Sequence, residues 1–164
     1  MPLPWGSMEI EQRLADLGIE LPDAPAPVAS YVPVKVAGNL AYVAGQIARV
    51  DGKIVHPGHL GSEVGVEQGQ EAARMCALQA LAALREALGG FGRLKGIAKV
   101  EVFVASERGF TDQPTVANGA SDLLAELMGE AGVHARAAVG VVELPLGASV
   151  EVVVTAEIGQ RGQR

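Results

Sequence analysis

Two helical patterns flank one strongly apolar strand pattern, and this alternation constrains the fold more than any other feature of the chain. Apolar side chains recur every three or four residues between residues 66 and 88, on one stripe of a predicted helix. A strand is predicted over residues 97–105 and a second helix over residues 113–128. Each helix has one apolar face that must be buried, and a sheet containing the strand would bury both.

The ends and faces of these elements follow from single residues. Gly89-Gly90 ends the first helix, Asp112 is the predicted cap of the second, and Pro114 lies in its first turn, where a missing N–H is harmless. Side chains alternate across a strand, so Lys99 and Glu101 are expected on one face. The opposite face is expected to carry Ala98, Val100, Val102 and Val104.

The N-terminal part of the chain predicts a short helix and a hairpin. Ser7 is a candidate cap for a helix over residues 9–17, and the Pro-rich residues 21–27 form an extended link. Strands over residues 31–37 and 40–47 are joined by a Gly38-Asn39 turn, and Gly45 is expected to kink the second strand. Residues 49–62 are expected to form a loop.

A terminal hairpin is predicted from residues 135–143 and 148–158, joined by a tight turn at Pro145-Leu146-Gly147. The complete order is ββ, α, β, α, ββ, which predicts an α/β fold with two helices packed on one face of a single mixed sheet. Residues 9–158 are expected to form one domain. Residues 1–8 are expected to be disordered or vector-derived, and residues 159–164 to be a polar tail.

The uncovered sheet face predicts self-association. It would carry Val and Ala side chains together with Glu101 and Glu151, and a monomer would leave this apolar surface in water. The chain has only three Phe, two Tyr and one Trp, so its core relies on small aliphatic residues. We therefore expect a homo-oligomer in a cyclic arrangement.

Charge and cysteine content indicate a cytoplasmic protein that does not bind nucleic acid. The net charge of −6 opposes attraction to a polyanion. The single cysteine, Cys76, cannot form an intrachain disulfide and is expected to pack in the core, as in a reducing compartment. No apolar run has the length of a membrane span, and no secretory signal is visible.

Arg136 and Glu151 are the candidate catalytic residues. Arg136 opens an almost chargeless strand, and its guanidinium can hold a small carboxylate at two points. Glu151 is the complementary acid or base. The alternative is a strand-end ion pair between them. His56 and His59 flank a Pro-Gly turn without a third ligand nearby, so we expect no metal site there.

Five groups of residues together resemble the RidA family, also called the YjgF or perchloric-acid-soluble protein family, over residues 31–158. Residues 38–47 resemble its first hairpin and its Ser-Gly-Gln-Ile segment, and residues 65–88 match its long helix. Residues 99–104 resemble its central strand and residues 115–118 the start of its second helix. The most specific match is Ala135-Arg136-Ala137, then Leu144-Pro145, then Val150-Glu151-Val152.

The resemblance implies a chorismate-mutase-like fold and a homotrimer with clefts between neighbouring subunits. It implies hydrolysis of reactive enamine and imine intermediates to 2-oxo acids and ammonia, without a cofactor. Arg136 would bind the substrate carboxylate and Glu151 would position or activate water. The Gly45 backbone would contact the ligand, Tyr31 would close the cleft and Asn118 would line it.

Three departures from the family pattern indicate a divergent subgroup. Ala44 stands where the family has a serine, Ala138 where a cysteine is frequent, and His134 where proline is usual. Non-catalytic binding of small carboxylates such as 2-oxo acids is therefore an alternative function. An endoribonuclease or translation-inhibitor role is a further alternative, which the acidic composition opposes.

Overall fold

The computed structural model describes residues 7–27 and 30–161. Its three helices are α1 (Ser7–Asp16), α2 (Val66–Leu88) and α3 (Gln113–Met128). Its eight strands are β1 (Val34–Ala37), β2 (Leu40–Val43), β3 (Gln46–Ile47), β4 (Arg49–Val50), β5 (Lys53–Ile54), β6 (Leu94–Ala105), β7 (Ala135–Val141) and β8 (Val150–Ile158). Short 3₁₀ turns lie at Gly129–Gly132 and Pro145–Gly147.

The predicted α/β architecture is confirmed. One mixed sheet has the strand order β1-β2-β8-β6-β7, and β3 also pairs with β8. Helices α2 and α3 pack against each other and cover one face of this sheet. The side chains buried beneath them include Val100, Val102, Val104, Val150, Val152 and Val154. Both long helices have the predicted bounds, because their apolar periodicity and flanking glycines are unambiguous.

The terminal hairpin prediction is wrong. Among the described residues, strand β7 pairs only with β6, in parallel, and β8 pairs antiparallel with β6 on its other side. The predicted turn does exist at Pro145–Gly147, and Leu146 there has a φ of 59°. However, the chain does not turn back alongside β7. It enters the sheet on the other side of β6, which lies between β7 and β8.

The predicted facing of Ala98 is also wrong. Ala98 is exposed, whereas Val100, Val102 and Val104 are buried as expected. The pairing of β6 with β8 shifts register between Ile97 and Lys99, and this irregularity changes which face the next side chain joins. Lys99 and Glu101 do share the other face, where they form an ion pair of 3.0 Å.

Strand 40–47 is interrupted at Ala44-Gly45. Tyr42 pairs with Thr155 of β8 and Gln46 with Val152, so four steps along one strand oppose three steps along the other. This one-residue bulge lets both Val43 and Gln46 be buried although they are three residues apart. The predicted loop over residues 49–62 also differs, since it contains the small β4–β5 hairpin around Asp51-Gly52.

Helix α1 buries Ile10 and Leu14 and contacts α3. The expected vector-derived segment, residues 1–8, lies mostly outside the described residues, as do the Ser7 side chain and most of the expected tail. Cys76 is fully buried, as predicted, and burial together with the charge of Glu151 raises the pKa of its thiol. Among the helices that the structure describes, none combines the length and hydrophobicity that a bilayer crossing requires.

Candidate functional site

Arg136 extends from β7 towards α3, where two side-chain oxygens hold it. Its Nη1 atom donates to Oδ1 of Asn118 over 2.8 Å and to Oγ of Ser121 over 3.2 Å. The register partner of Arg136 is Val100, which is buried under the helices, so Arg136 leaves the sheet on the helix-covered face. Two of the predicted site residues, Arg136 and Asn118, are therefore in contact.

His134 continues this hydrogen-bond network on the inner side. Its Nδ1 lies 2.6 Å from the carbonyl oxygen of Gly132, and its Nε2 lies 2.9 Å from Oγ of Ser121. A carbonyl oxygen can only accept, so Nδ1 of a neutral His134 carries the proton and Nε2 is an acceptor. The Ser121 hydroxyl consequently donates to His134 while its oxygen accepts from Arg136. We call Asn118, Ser121, His134 and Arg136 the arginine half-site.

The guanidinium of Arg136 keeps one edge free. Its two Nη1 hydrogens are directed to Asn118 and Ser121, and in residues 7–27 and 30–161 neither Nε nor Nη2 has a hydrogen-bond partner. Arg136 is also exposed. The Nε–H and Nη2–H groups are parallel donors spaced to match the two oxygens of a carboxylate. The arrangement can bind one carboxylate from the side.

Glu151 lies on β8 and faces the other side of the sheet. Its neighbours Val150 and Val152 are buried under the helices, so strand alternation directs Glu151 to the uncovered face. Glu151 is half-buried, and removal of water from its carboxyl group raises the pKa of Glu151. Arg136 makes no contribution to this shift. A raised pKa suits a carboxyl group that both accepts and returns a proton near neutral pH.

Gly45 lies beside Glu151 and also lines a cleft together with Tyr31. A Cβ atom at position 45 would overlap Oε1 of Glu151, so only glycine leaves the carboxylate its present position. Tyr31 and Gly45 line a cleft of about 350 Å³, whose wall includes Pro22 and Pro25 of the N-terminal link. Tyr31 is 57% exposed at this cleft. We call Tyr31, Gly45 and Glu151 the glutamate half-site.

One chain does not bring the two half-sites together. Arg136 is paired with Val100 of β6, whereas Glu151 is paired with Phe103 on the opposite edge of the same strand. The two side chains also leave opposite faces of the sheet. The alternative of an Arg136–Glu151 ion pair therefore does not occur within the described chain, where Arg136 contacts Asn118 and Ser121 instead.

The two loop histidines have structural partners. His59 Nε2 lies 2.8 Å from the carbonyl oxygen of Val142 and 3.3 Å from Oε1 of Glu143, and His56 Nε2 lies 2.7 Å from Oε2 of Glu71. The Val142 carbonyl, followed by the charges of Glu143 and Glu63, raises the pKa of His59. Within the described residues, no three His, Cys, Asp or Glu side chains are grouped as a metal site would require.

Sequence reasoning missed Ser121 and the contacts of His134. The signals for both were present. Asn118 and Ser121 are three residues apart on α3 and therefore lie on one helix face. His134 precedes Arg136 by two residues, so both side chains leave the same side of the chain. Their meeting required knowledge that β7 lies alongside α3.

Comparison with known proteins assigns the family. Residues 11–158 match the model of the family described as "YjgF/chorismate mutase-like, putative endoribonuclease". The chain belongs to the YjgF/chorismate mutase-like family. Protein TCP17 of Trypanosoma cruzi is 45% identical over 153 residues, which are 93% of this chain and 96% of that protein.

Solved structures of this family share the fold. The protein Atu1372 from Agrobacterium tumefaciens, described as having unknown function, is 45% identical, with a TM-score of 0.86 over 93% of this chain and 94% of that chain. A "putative endoribonuclease" from Shewanella oneidensis is 34% identical, also with a TM-score of 0.86, over 90% and 98% of the two chains. TdcF of E. coli with bound serine is 25% identical, with a TM-score of 0.57 over 82% and 92%.

Proposed function

We propose that this protein hydrolyses reactive enamine and imine intermediates of the 2-aminoacrylate type to 2-oxo acids and ammonia. The observation that carries the proposal is the free Nε–Nη2 edge of Arg136, which is held in place through Nη1. Such an edge suits the carboxylate that all these intermediates share. The serine bound to the related TdcF also carries a carboxylate beside a nitrogen, which supports the substrate class.

The chemistry needs few catalytic groups. The enamine tautomerises to an imine, and a protonated imine is already electrophilic at C2. Water adds to C2 while Glu151 accepts one of its protons and then returns it to the nitrogen of the carbinolamine. The carbon–nitrogen bond then breaks and ammonia leaves, while the hydroxyl group gives its proton back to the Glu151 carboxylate and becomes the 2-oxo group. Orientation by Arg136 and proton shuttling by Glu151 are therefore sufficient. The raised pKa of Glu151 makes its carboxylate a stronger base for the proton that the attacking water releases.

The reaction would take place in clefts shared by subunits of a homotrimer. Arg136 of one protomer would hold the carboxylate and Glu151 of its neighbour would serve the carbon–nitrogen bond. The separation of the two half-sites within one chain supports this arrangement. The uncovered sheet face also carries the apolar side chains of Tyr42, Phe103 and Val153, which association would remove from water.

The test is ammonia release from 2-aminoacrylate generated in the assay. The wild-type protein should accelerate release, and Arg136→Ala should reduce the acceleration by at least about 100-fold, because the substrate carboxylate would lose its charged partner. Arg108→Ala, at an exposed arginine outside both half-sites, is the matched control. Equal rates for wild type and Arg136→Ala would reject the proposal.

A binding measurement distinguishes the alternative function. Titration calorimetry with 2-oxobutyrate should show binding that Arg136→Ala removes. Binding of this kind without any acceleration of ammonia release would overturn the catalytic proposal in favour of a carboxylate-binding module. The alanines at positions 44 and 138 are compatible with such a module. RNA cleavage that Arg136→Ala leaves unchanged would instead support the endoribonuclease alternative.

A further inference from the structure

We infer that Ser121 and His134 are positioning residues that hold the Arg136 guanidinium in the orientation that a carboxylate requires. The inference rests on the proposed function, since it concerns the same carboxylate site. Neither residue touches the ligand in this arrangement. Both act through Arg136, and together they determine which edge of the guanidinium is presented.

The Gly132 carbonyl oxygen, which can only accept, determines the direction of each hydrogen bond in this network. The Gly132 carbonyl oxygen lies 2.6 Å from Nδ1 of His134 and cannot donate, so it determines the neutral tautomer of the ring. Nε2 of His134 must then accept, and the Ser121 hydroxyl lies 2.9 Å away as its donor. With its hydrogen committed to His134, the Ser121 oxygen offers a lone pair to Nη1 of Arg136 at 3.2 Å.

Asn118 completes the hold on Nη1. Its Oδ1 atom accepts the other Nη1 hydrogen over 2.8 Å. Nη1 is therefore satisfied by two acceptors, both on α3. A carboxylate can reach the guanidinium only from the Nε–Nη2 side, which fixes the plane in which the ligand lies.

The position of the network explains why such a hold is useful. Arg136 is exposed on the edge strand β7, whereas Ser121 and His134 are half-buried between β7 and α3. A free arginine side chain carries about 2 kcal/mol of rotamer entropy, which binding would have to remove. Anchoring Nη1 removes part of that freedom before the ligand arrives. A proline at position 134 would have no side-chain acceptor for Ser121.

The experiment is a double-mutant cycle measured by calorimetry with 2-oxobutyrate. His134→Ala and Ser121→Ala should each raise Kd by about 5- to 10-fold, the loss expected for one ordering hydrogen bond. Because both act through one chain of contacts, the double variant should bind within about twofold of either single variant. His134→Gln should restore Kd to within about twofold of wild type, since its amide oxygen can accept from Ser121.

Controls separate positioning from general damage. Thr115 lies on the same helix, and its side-chain hydroxyl donates to Oδ1 of Asp112, away from Arg136, so Thr115→Ala should leave Kd unchanged. In the ammonia assay, His134→Ala should raise KM while kcat stays within about twofold of wild type, as loss of ground-state binding predicts. If His134→Ala does not fold, the Kd values of Ser121→Ala and His134→Gln test the inference. Ser121→Ala should bind more weakly than wild type, and His134→Gln should bind nearly as well as wild type.

Unchanged Kd for both single variants, or additive effects in the double variant, would overturn the inference. Its failure can be distinguished from failure of the proposed function. If Arg136→Ala abolishes binding but Ser121→Ala and His134→Ala do not change it, only the positioning role is wrong. If Arg136→Ala also binds normally, the carboxylate site itself is wrong.

Discussion

Arg136 and Glu151 lie on strands that flank β6 from opposite sides, and their side chains leave opposite faces of the sheet. Arg136 is oriented towards α3, and Glu151 towards Gly45 on the uncovered face. A single small ligand cannot touch both side chains of one chain. Any chemistry that uses both must draw them from two protomers.

Mixing two inactive variants should therefore restore activity. After joint unfolding and refolding of Arg136→Ala with Glu151→Gln, some clefts receive an intact arginine from one variant and an intact glutamate from the other. If equal amounts assemble at random, about one quarter of the clefts contain both an intact Arg136 and an intact Glu151. Ammonia release should therefore recover to about a quarter of the wild-type rate. No recovery in mixed assemblies, verified by mass spectrometry, would mean that each cleft belongs to one chain.

Gly45→Ala should impair turnover without unfolding the protein. The added methyl group would overlap Oε1 of Glu151, the movable end of a side chain, so the carboxylate would shift and the backbone would remain. We expect kcat to fall by about 10-fold or more, as for a misplaced catalytic group, and Tm to change little. Gly65→Ala is the control, because a Cβ there meets only Gln68 at 3.8 Å. A large fall in Tm for Gly45→Ala would contradict this expectation.

The acidic limb of the pH–activity profile should lie above pH 4.5, which is the ordinary pKa of a glutamate side chain. Burial raises the pKa of Glu151, and the deprotonated form is the base. The rate should therefore rise with pH through this raised pKa, and Glu151→Gln should abolish the limb. The same shift makes the wild type less stable relative to Glu151→Gln as pH rises through 4.5 towards the folded-state pKa. Urea unfolding at pH 4 and pH 7 measures this second effect.

His59 should stabilise the fold more at acidic pH. Its pKa is raised above 6.5, so the protonated ring is favoured in the folded state. This contribution is complete below pH 6.5 and is lost as pH rises through the folded-state pKa. The Tm difference between wild type and His59→Ala should accordingly be larger at pH 5.5 than at pH 8.5. Replacement of Glu63 and Glu143 by glutamine should reduce that dependence, since their charges contribute to the shift.

Sequence patterns predicted the local elements but not every strand neighbour. The bounds of α2 and α3 were correct because helical periodicity is a local property that glycine and proline delimit. The placement of β7 beside β8 was wrong because chain proximity does not reveal that β6 lies between them. Ala98 was misassigned because a register shift leaves no clear signature in an apolar run.

Five of the seven residues in the two half-sites were accessible from sequence, but their contacts were not. Arg136, Glu151, Gly45, Tyr31 and Asn118 were named from residue chemistry and from a family resemblance. The contact between Arg136 and Asn118 spans 18 residues and that between Ser121 and His134 spans 13, so both depend on how α3 packs on β7. Contacts of this kind depend on tertiary packing, which local sequence patterns do not specify.

The extra residue at Ala44-Gly45 has a consequence for how the chain can vary. The extra residue shifts the alternation of inward and outward side chains by one position in β3. Gln46 therefore faces inwards, where it accepts from Gln79 of α2, while the Gly45 peptide stays beside Glu151. Chain length at this point therefore matters as well as the glycine at position 45. A deletion of a single residue here would turn Gln46 outwards and carry the glycine away from the carboxylate, so relatives that differ in many side chains are expected to keep this spacing.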